Sequence, residues 1–193
     1  MSLQNLACDS LKIKKVCIKS SHGAYFTARA LLDQGSEITV ISEELVKKLH
    51  LQRHKRNLNL IGIGALQSGA TKGLVHFNIS PHFESSFQCA VSAYILPKLT
   101  TELPSCAIKL DNTAYLEGIQ LADPNYMVTS KIDLIIGANL YGYLLEGPIL
   151  KGENNYPGAQ LTSLGWILSG SVPNQQCTIM PFSSSFSMPC RLQ

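Results

Sequence analysis

Asp33 is the residue of this sequence best placed to do chemistry. It stands in the stretch ARALLDQGSEITVIS (residues 28–42), where one apolar run ends, Asp33-Gln34-Gly35-Ser36 intervenes, and a second apolar run begins. A carboxylate held on a tight turn between two strands can take a proton from water or, when protonated, polarise a carbonyl. Gly35, lacking a Cβ, would let another backbone come close to it. The same pattern has a plainer explanation, because an aspartate ahead of a glycine often bonds the amides of its own turn. Taken alone, the turn does not decide between the two.

The elements that must hold Asp33 read mainly as strands. SLKIKKVCIKS (10–20) alternates imperfectly, with Leu11, Ile13 and Cys17 set against Lys12, Lys14 and Val16, as expected of a partly exposed strand. SSHG is a turn and AYFTARALL (24–32) a second strand, so residues 11–32 are expected to form a hairpin. ITVIS is rich in β-branched residues. SEELVKKLHL (42–51) reads as a short helix, with Ser42 as N-cap, acids in the first turn and lysines toward the end. Residues 57–80 suggest two strands joined by a hairpin loosened by Gly62, Gly64, Gly69 and Gly73, and FQCAVSAYIL another strand. Residues 97–130 are less regular, with prolines at 97, 104 and 124. KIDLIIGANLYGYLL is a buried strand, a glycine and a short helix; LTSLGWILSGSV is a late strand pair. Trp166 reads as a core or interface anchor, and Tyr141 and Tyr143 as packing residues.

Composition narrows the function classes. With 15% charged and 45% apolar residues in 193, the chain has the make-up of a globular domain rather than a disordered one. A net charge of +3 is too small to imply nucleic acid, and HLQRHKR (50–56) reads as a solvated helix end. No apolar run reaches the ~18 residues a membrane helix needs, and the start has no signal-like segment, so a soluble, unsecreted protein is expected. The six cysteines are widely and irregularly spaced, without a C-x-x-C pair, and read as reduced thiols rather than zinc ligands. His50 and His54, four apart, would share a helix face, but without a third ligand nearby they read as surface histidines. No metal and no cofactor is expected.

Three motifs in order carry a family resemblance: LLDQGSEITVIS, LIGIGALQSG and IDLIIGANL together resemble the retropepsins, the single-domain aspartic proteases of retroviruses and LTR retrotransposons. SEELVKKLHL, ILPKLTTELP, GIQLADPNY, IDLIIGANLYGYLLEG and LGWILSG further resemble the protease region of BEL/Pao-type retrotransposon polyproteins. The resemblance implies a mainly β, closed acid-protease barrel with short helices and an extended C-terminal segment. It implies residues 11–173 as the protease domain, with 97–130 as an insertion, 1–10 as an N-terminal extension and 174–193 as a mobile tail. It also implies a homodimer acting on an extended peptide, in the cytoplasm or within retrotransposon particles, and makes Asp33 catalytic. Gly35, Ser36 and Glu37 would contact substrate, together with a flap tip at Gly62, Ile63, Gly64 and Ala65. Gln34, Ile135, Ile136 and Gly137 would support the acid turn.

The dimer requirement is intelligible physically. Peptide hydrolysis by carboxylates needs one ionised and one protonated group, and two carboxyls about 3 Å apart share a single proton. This sequence has one acid turn of the right type; Asp123 and Asp133 do not match it. Symmetry must supply the second. Gln34 departs from the pattern, because the family places Ser or Thr between acid and glycine, with a hydroxyl that ties two turns across the dimer axis. Two function classes therefore remain: an endopeptidase that processes a retrotransposon polyprotein, and a catalytically impaired or host-adopted module for dimerisation or peptide binding.

Overall fold

A computed structural model describes residues 12–61, 67–99, 102–104, 110, 113–152 and 156–170. β1 (Ile13–Lys19) and β2 (Tyr25–Leu32) form an antiparallel hairpin with Ile13 opposite Leu31 and Lys19 opposite Tyr25. Gly23 makes its turn possible, at φ 87°. β3 (Val40–Ser42) runs straight into α1 (Glu43–Lys48), whose cap is Ser42: its hydroxyl accepts from the Leu45 amide at 3.2 Å. Glu43 and Glu44 face the positive end of α1, Lys47 and Lys48 the negative end, and Leu45 and Val46 are buried in the core. Burial of two such side chains stabilises the attachment by about 1.5–3 kcal/mol each.

β4 (Asn59–Ile61) and β5 (Gln67–Ala70) pair as a separate two-stranded sheet, followed by β6 (Leu74–Pro81) and β7 (Cys89–Leu96). The segment 57–80 thus holds three strands where two were expected. β8 (Leu134–Ile136) passes through Gly137 into α2 (Ala138–Leu144). Strands β1-β2-β8-β3-β7-β6 close into a barrel, sealed where Val16, Cys17 and Ile18 pair with Pro81, Ser80 and Ile79. Alternate residues of these strands fill it: Val16, Ile18, Ala30, Val75, Ile95 and Leu134 are all fully buried. The expected class, a mainly β closed barrel with short helices and a C-terminal extension, is the one observed.

Two segments beyond the barrel pack on each other. β9 (Leu145–Leu150), β10 (Gly158–Thr162) and β11 (Ile167–Ser169) form a three-stranded sheet with β10 central. Ala159 and Leu168 from that sheet meet Leu116 and Tyr126 in a second core, with half-buried Trp166 against it. The Ala122 amide donates to Trp166 O at 2.8 Å and the Trp166 amide to Gln120 O at 2.9 Å. Arg29 ties this layer to β2: Nε donates to Asp123 Oδ2 at 2.7 Å, and its terminal nitrogens to the carbonyls of Leu103, Val128 and Asn125 at 2.8–2.9 Å. Every guanidinium nitrogen is used, which is how a buried charge is tolerated.

Several expectations need correction. Lys14 is not on an exposed face; it is fully buried, in register with Ala30, and its side-chain nitrogen has no hydrogen-bond partner among the described residues. Burial pushes its pKa well below the usual lysine value. Tyr141 is buried as expected, but Tyr143 is 70% exposed and is not a packing residue. β9 was not anticipated as a strand; with Glu146 to Ile149 all exposed, it is an edge. His50 and His54 do not share a helix face, because α1 ends at Lys48. No helix among the described residues is long and apolar enough to cross a membrane.

Candidate active site

β2 delivers Asp33 and β8 fixes it. Leu31 and Leu32 pair in parallel with Ile135 and Ile136, and the ladder runs one residue further, the Asp33 amide donating to Ile136 O at 3.0 Å. On the other side β8 is antiparallel to β3, with Val40 opposite Ile135. The two strands that flank the acid turn are therefore both hydrogen-bonded to the strand beneath it. Ile136 and Gly137 are buried and Ile135 half-buried, so this support is mostly sealed from water.

Within the turn, Asp33 is half-buried and its Oδ1 accepts from the Gly35 amide at 2.9 Å. The bond that an ordinary aspartate turn requires is thus present. It engages one oxygen only; none of the described residues donates a hydrogen bond to Oδ2. Gly35 is exposed, and a Cβ built there would stand 3.3 Å from Asp33 Oδ1, so a side chain at this position would crowd the carboxylate. Ser36 is turned inward to the protein: its hydroxyl donates to Ile38 O at 2.8 Å and its carbonyl accepts from Ala138 N at 2.7 Å. Glu37 and Gln34 are exposed, and the Gln34 side chain makes no hydrogen bond among the described residues.

Gly137 is where the two motifs interlock. A Cβ there would run into the Ile38 carbonyl and lie 2.7 Å from Ser36 O, both backbone atoms that cannot swing aside. Its amide donates to Thr39 Oγ1 at 3.2 Å, and the Thr39 hydroxyl donates to Asn139 Oδ1 at 2.9 Å. Thr39 and Asn139 were missed by sequence reasoning. A buried polar threonine inside ITVIS was the available signal, since a buried hydroxyl must find a partner.

The structure thus brings together Asp33, Gly35, Ser36, Ile135, Ile136 and Gly137. Gly62, Ile63, Gly64 and Ala65 lie outside the described residues, as do residues 1–11 and the tail from 171. The base of their hairpin is described, with Asn59 opposite Ala70 and Leu60 opposite Gly69. Among the described residues no three His, Cys, Asp or Glu side chains gather as metal ligands. Cys17 and Cys89 are free thiols, and burial pushes the Cys89 thiol pKa up, away from reactivity.

No family model matches this chain, and no curated protein matches it. Among solved structures it is similar to the crystal structure of the retroviral protease-like domain of Ddi1 from Leishmania major. The identity is 8% and the TM-score 0.37, over 86% of this chain and 98% of that one. At that score the likeness bears on neither activity nor partner.

Proposed function

We propose that this chain is a retropepsin-like aspartic endopeptidase, active as a homodimer, that processes a retrotransposon polyprotein of the BEL/Pao type. The observation that carries the reading is Asp33 itself: a carboxylate on a turn hung from β8, one oxygen held by Gly35 and the other without a donor among the described residues. Two such turns facing across a two-fold axis form the acid–base pair. One carboxylate takes the proton from a water molecule as that water attacks the scissile carbonyl; the other donates its proton to the carbonyl oxygen. Gly35, Ser36 and Glu37, with the Gly62–Ala65 segment, line the path of an extended peptide bound through backbone hydrogen bonds. Ile135, Ile136 and Gly137 support the turn, and no metal or cofactor takes part. The setting is cytoplasmic, within the particle assembled from that polyprotein.

A second reading keeps the fold and drops the chemistry: a dimerisation or peptide-binding module. Exposed Gln34 favours it, because a long amide side chain stands where a short hydroxyl would link two turns. Cleavage of a peptide library by the purified chain at mildly acidic pH separates the readings. The protease reading expects cleavage that Asp33→Asn abolishes; intact peptides with a folded, dimeric wild type would establish the module instead.

A further inference from the structure

The outer face of the barrel carries rings and cations together. β6 runs down its middle: Val75, Phe77 and Ile79 point into the core, so His76, Asn78 and Ser80 alternate outward. β1 flanks one half of the strand, where Cys17 pairs with Ser80. Past the end of β1 the His54 backbone takes over that edge, exchanging hydrogen bonds with Leu74 at 2.8 and 3.0 Å. We propose that this face binds single-stranded nucleic acid, stacking bases on Tyr25, His54 and His76 and pairing phosphates with Lys19, Lys55 and Arg56.

The rings follow one another across the face. Lys19 and Tyr25 are paired at the end of the β1–β2 hairpin, with Lys19 Nζ 5.8 Å from the Tyr25 ring centre, and Tyr25 is 62% exposed. Both line a small recess with Asn78. Asn78 also borders a second, open recess of about 330 Å³, with His76 and Ser92, so the two recesses meet at that residue. His76 comes next, its Nδ1 2.8 Å from the Ser92 hydroxyl, which steadies the ring. Beside it is exposed His54, with 5.1 Å between the ring centres. A tyrosine this exposed adds little to the core. It and the two imidazoles offer flat faces on which any base can stack, with no sequence match required.

The net charge of +3 conceals how charge is spread. Neither recess is lined by a carboxylate. Lys55 and Arg56 are exposed directly after His54, and neither they nor Lys19 lie within salt-bridge distance of a described carboxylate. Arg53 and Lys72 adjoin this surface but are held by Glu43, at 3.3 and 2.6 Å, and contribute less. An acidic peptide would match the cations and leave the rings unused. A duplex keeps its base faces stacked inside and does the same. A single strand uses both features. The inference is independent of Asp33 and of proteolysis.

The test titrates the full chain into fluorescein-labelled oligouridine of about 12 nucleotides, a length such a site spans, and reads anisotropy at several salt concentrations. Saturable binding is expected, with three phosphate contacts giving a slope of about −2 in log K against log salt. Lys55→Ala and Arg56→Ala together should reduce that slope by about 1.4. Tyr25→Ala should weaken binding about tenfold and leave the slope unchanged, which separates stacking from charge. Lys151→Ala, on the exposed segment after β9, should alter nothing. The substituted side chains are all exposed, so an unchanged amide spectrum certifies folding. Absence of saturable binding at low salt overturns the proposal, as does a Tyr25→Ala protein that binds like the wild type. So does equal displacement of the oligonucleotide by polyglutamate or by a duplex of the same length.

Discussion

The Asp33 amide donates to the Ile136 carbonyl at 3.0 Å, so the acid turn hangs from the strand that ends in Gly137. The bond makes the position of the carboxylate a property of β8 as much as of its own turn. Anything that moves Gly137 moves Asp33.

Gly137→Ala should therefore be severe. The added Cβ meets the Ile38 carbonyl and lies 2.7 Å from Ser36 O, neither of which can rotate away. The glycine's own φ of −83° suits any residue, so the cost is steric alone. Overpacking of this kind costs about 1–3 kcal/mol, and here it falls on the acid turn directly. Urea denaturation should show a midpoint lowered accordingly; an unchanged midpoint would mean that the two motifs do not interlock.

Lys14→Met should stabilise the protein at neutral pH. The buried side-chain nitrogen has no hydrogen-bond partner among the described residues, and burial lowers its folded pKa well below the unfolded value near 10.4. Between those two pKa values the unfolded chain binds the proton and the folded chain does not. Stability therefore rises with pH through that window, by at most about 1.4 kcal/mol per pH unit, and the contribution levels off above the unfolded pKa. Urea midpoints measured from neutral to alkaline pH should climb in the wild type and flatten in the variant. Equal slopes in both would show that Lys14 is charged when folded.

Gln34→Ser tests the departure within the acid turn. Serine restores a short hydroxyl, removes bulk and leaves Asp33 and Gly35 alone. One added hydrogen bond per protomer is worth about 0.5–1.5 kcal/mol, enough in total to tighten the proposed dimer by one or two decades. Sedimentation with peptide cleavage in parallel reads both effects. No change in either would clear Gln34 as the obstacle, and a tighter dimer without cleavage would favour the binding module.

What the sequence disclosed was whatever its chemistry kept local. The acid turn, the Ser42 cap and the β8–Gly137–α2 junction each announce themselves within ten residues, through a turn residue, a capping hydroxyl or an apolar run broken by glycine. Features that depend on distant partners were silent. Arg29 and Asp123 meet across the fold, and neither is distinctive until the layer between Leu103 and Val128 surrounds them. Lys14 was misread because alternation assumes that lysine faces water, whereas its strand turns that position toward Ala30 and the core. β9 escaped notice because LEGPIL has neither alternation nor a buried face, as befits an edge strand carrying a proline. The pairing of His54 with His76 rather than with His50 depends on where α1 stops.

The most direct test of a dyad built from two copies of Asp33 is a mixing experiment. Wild-type and Asp33→Asn chains are combined at fixed total concentration, allowed to exchange protomers, and assayed on a cleavable peptide. If each active centre takes one aspartate from each protomer, activity should fall as the square of the wild-type fraction, because mixed dimers carry a single carboxylate. A linear fall would mean that each chain works alone, and would contradict the shared dyad, as would cleavage that persists in pure Asp33→Asn protein.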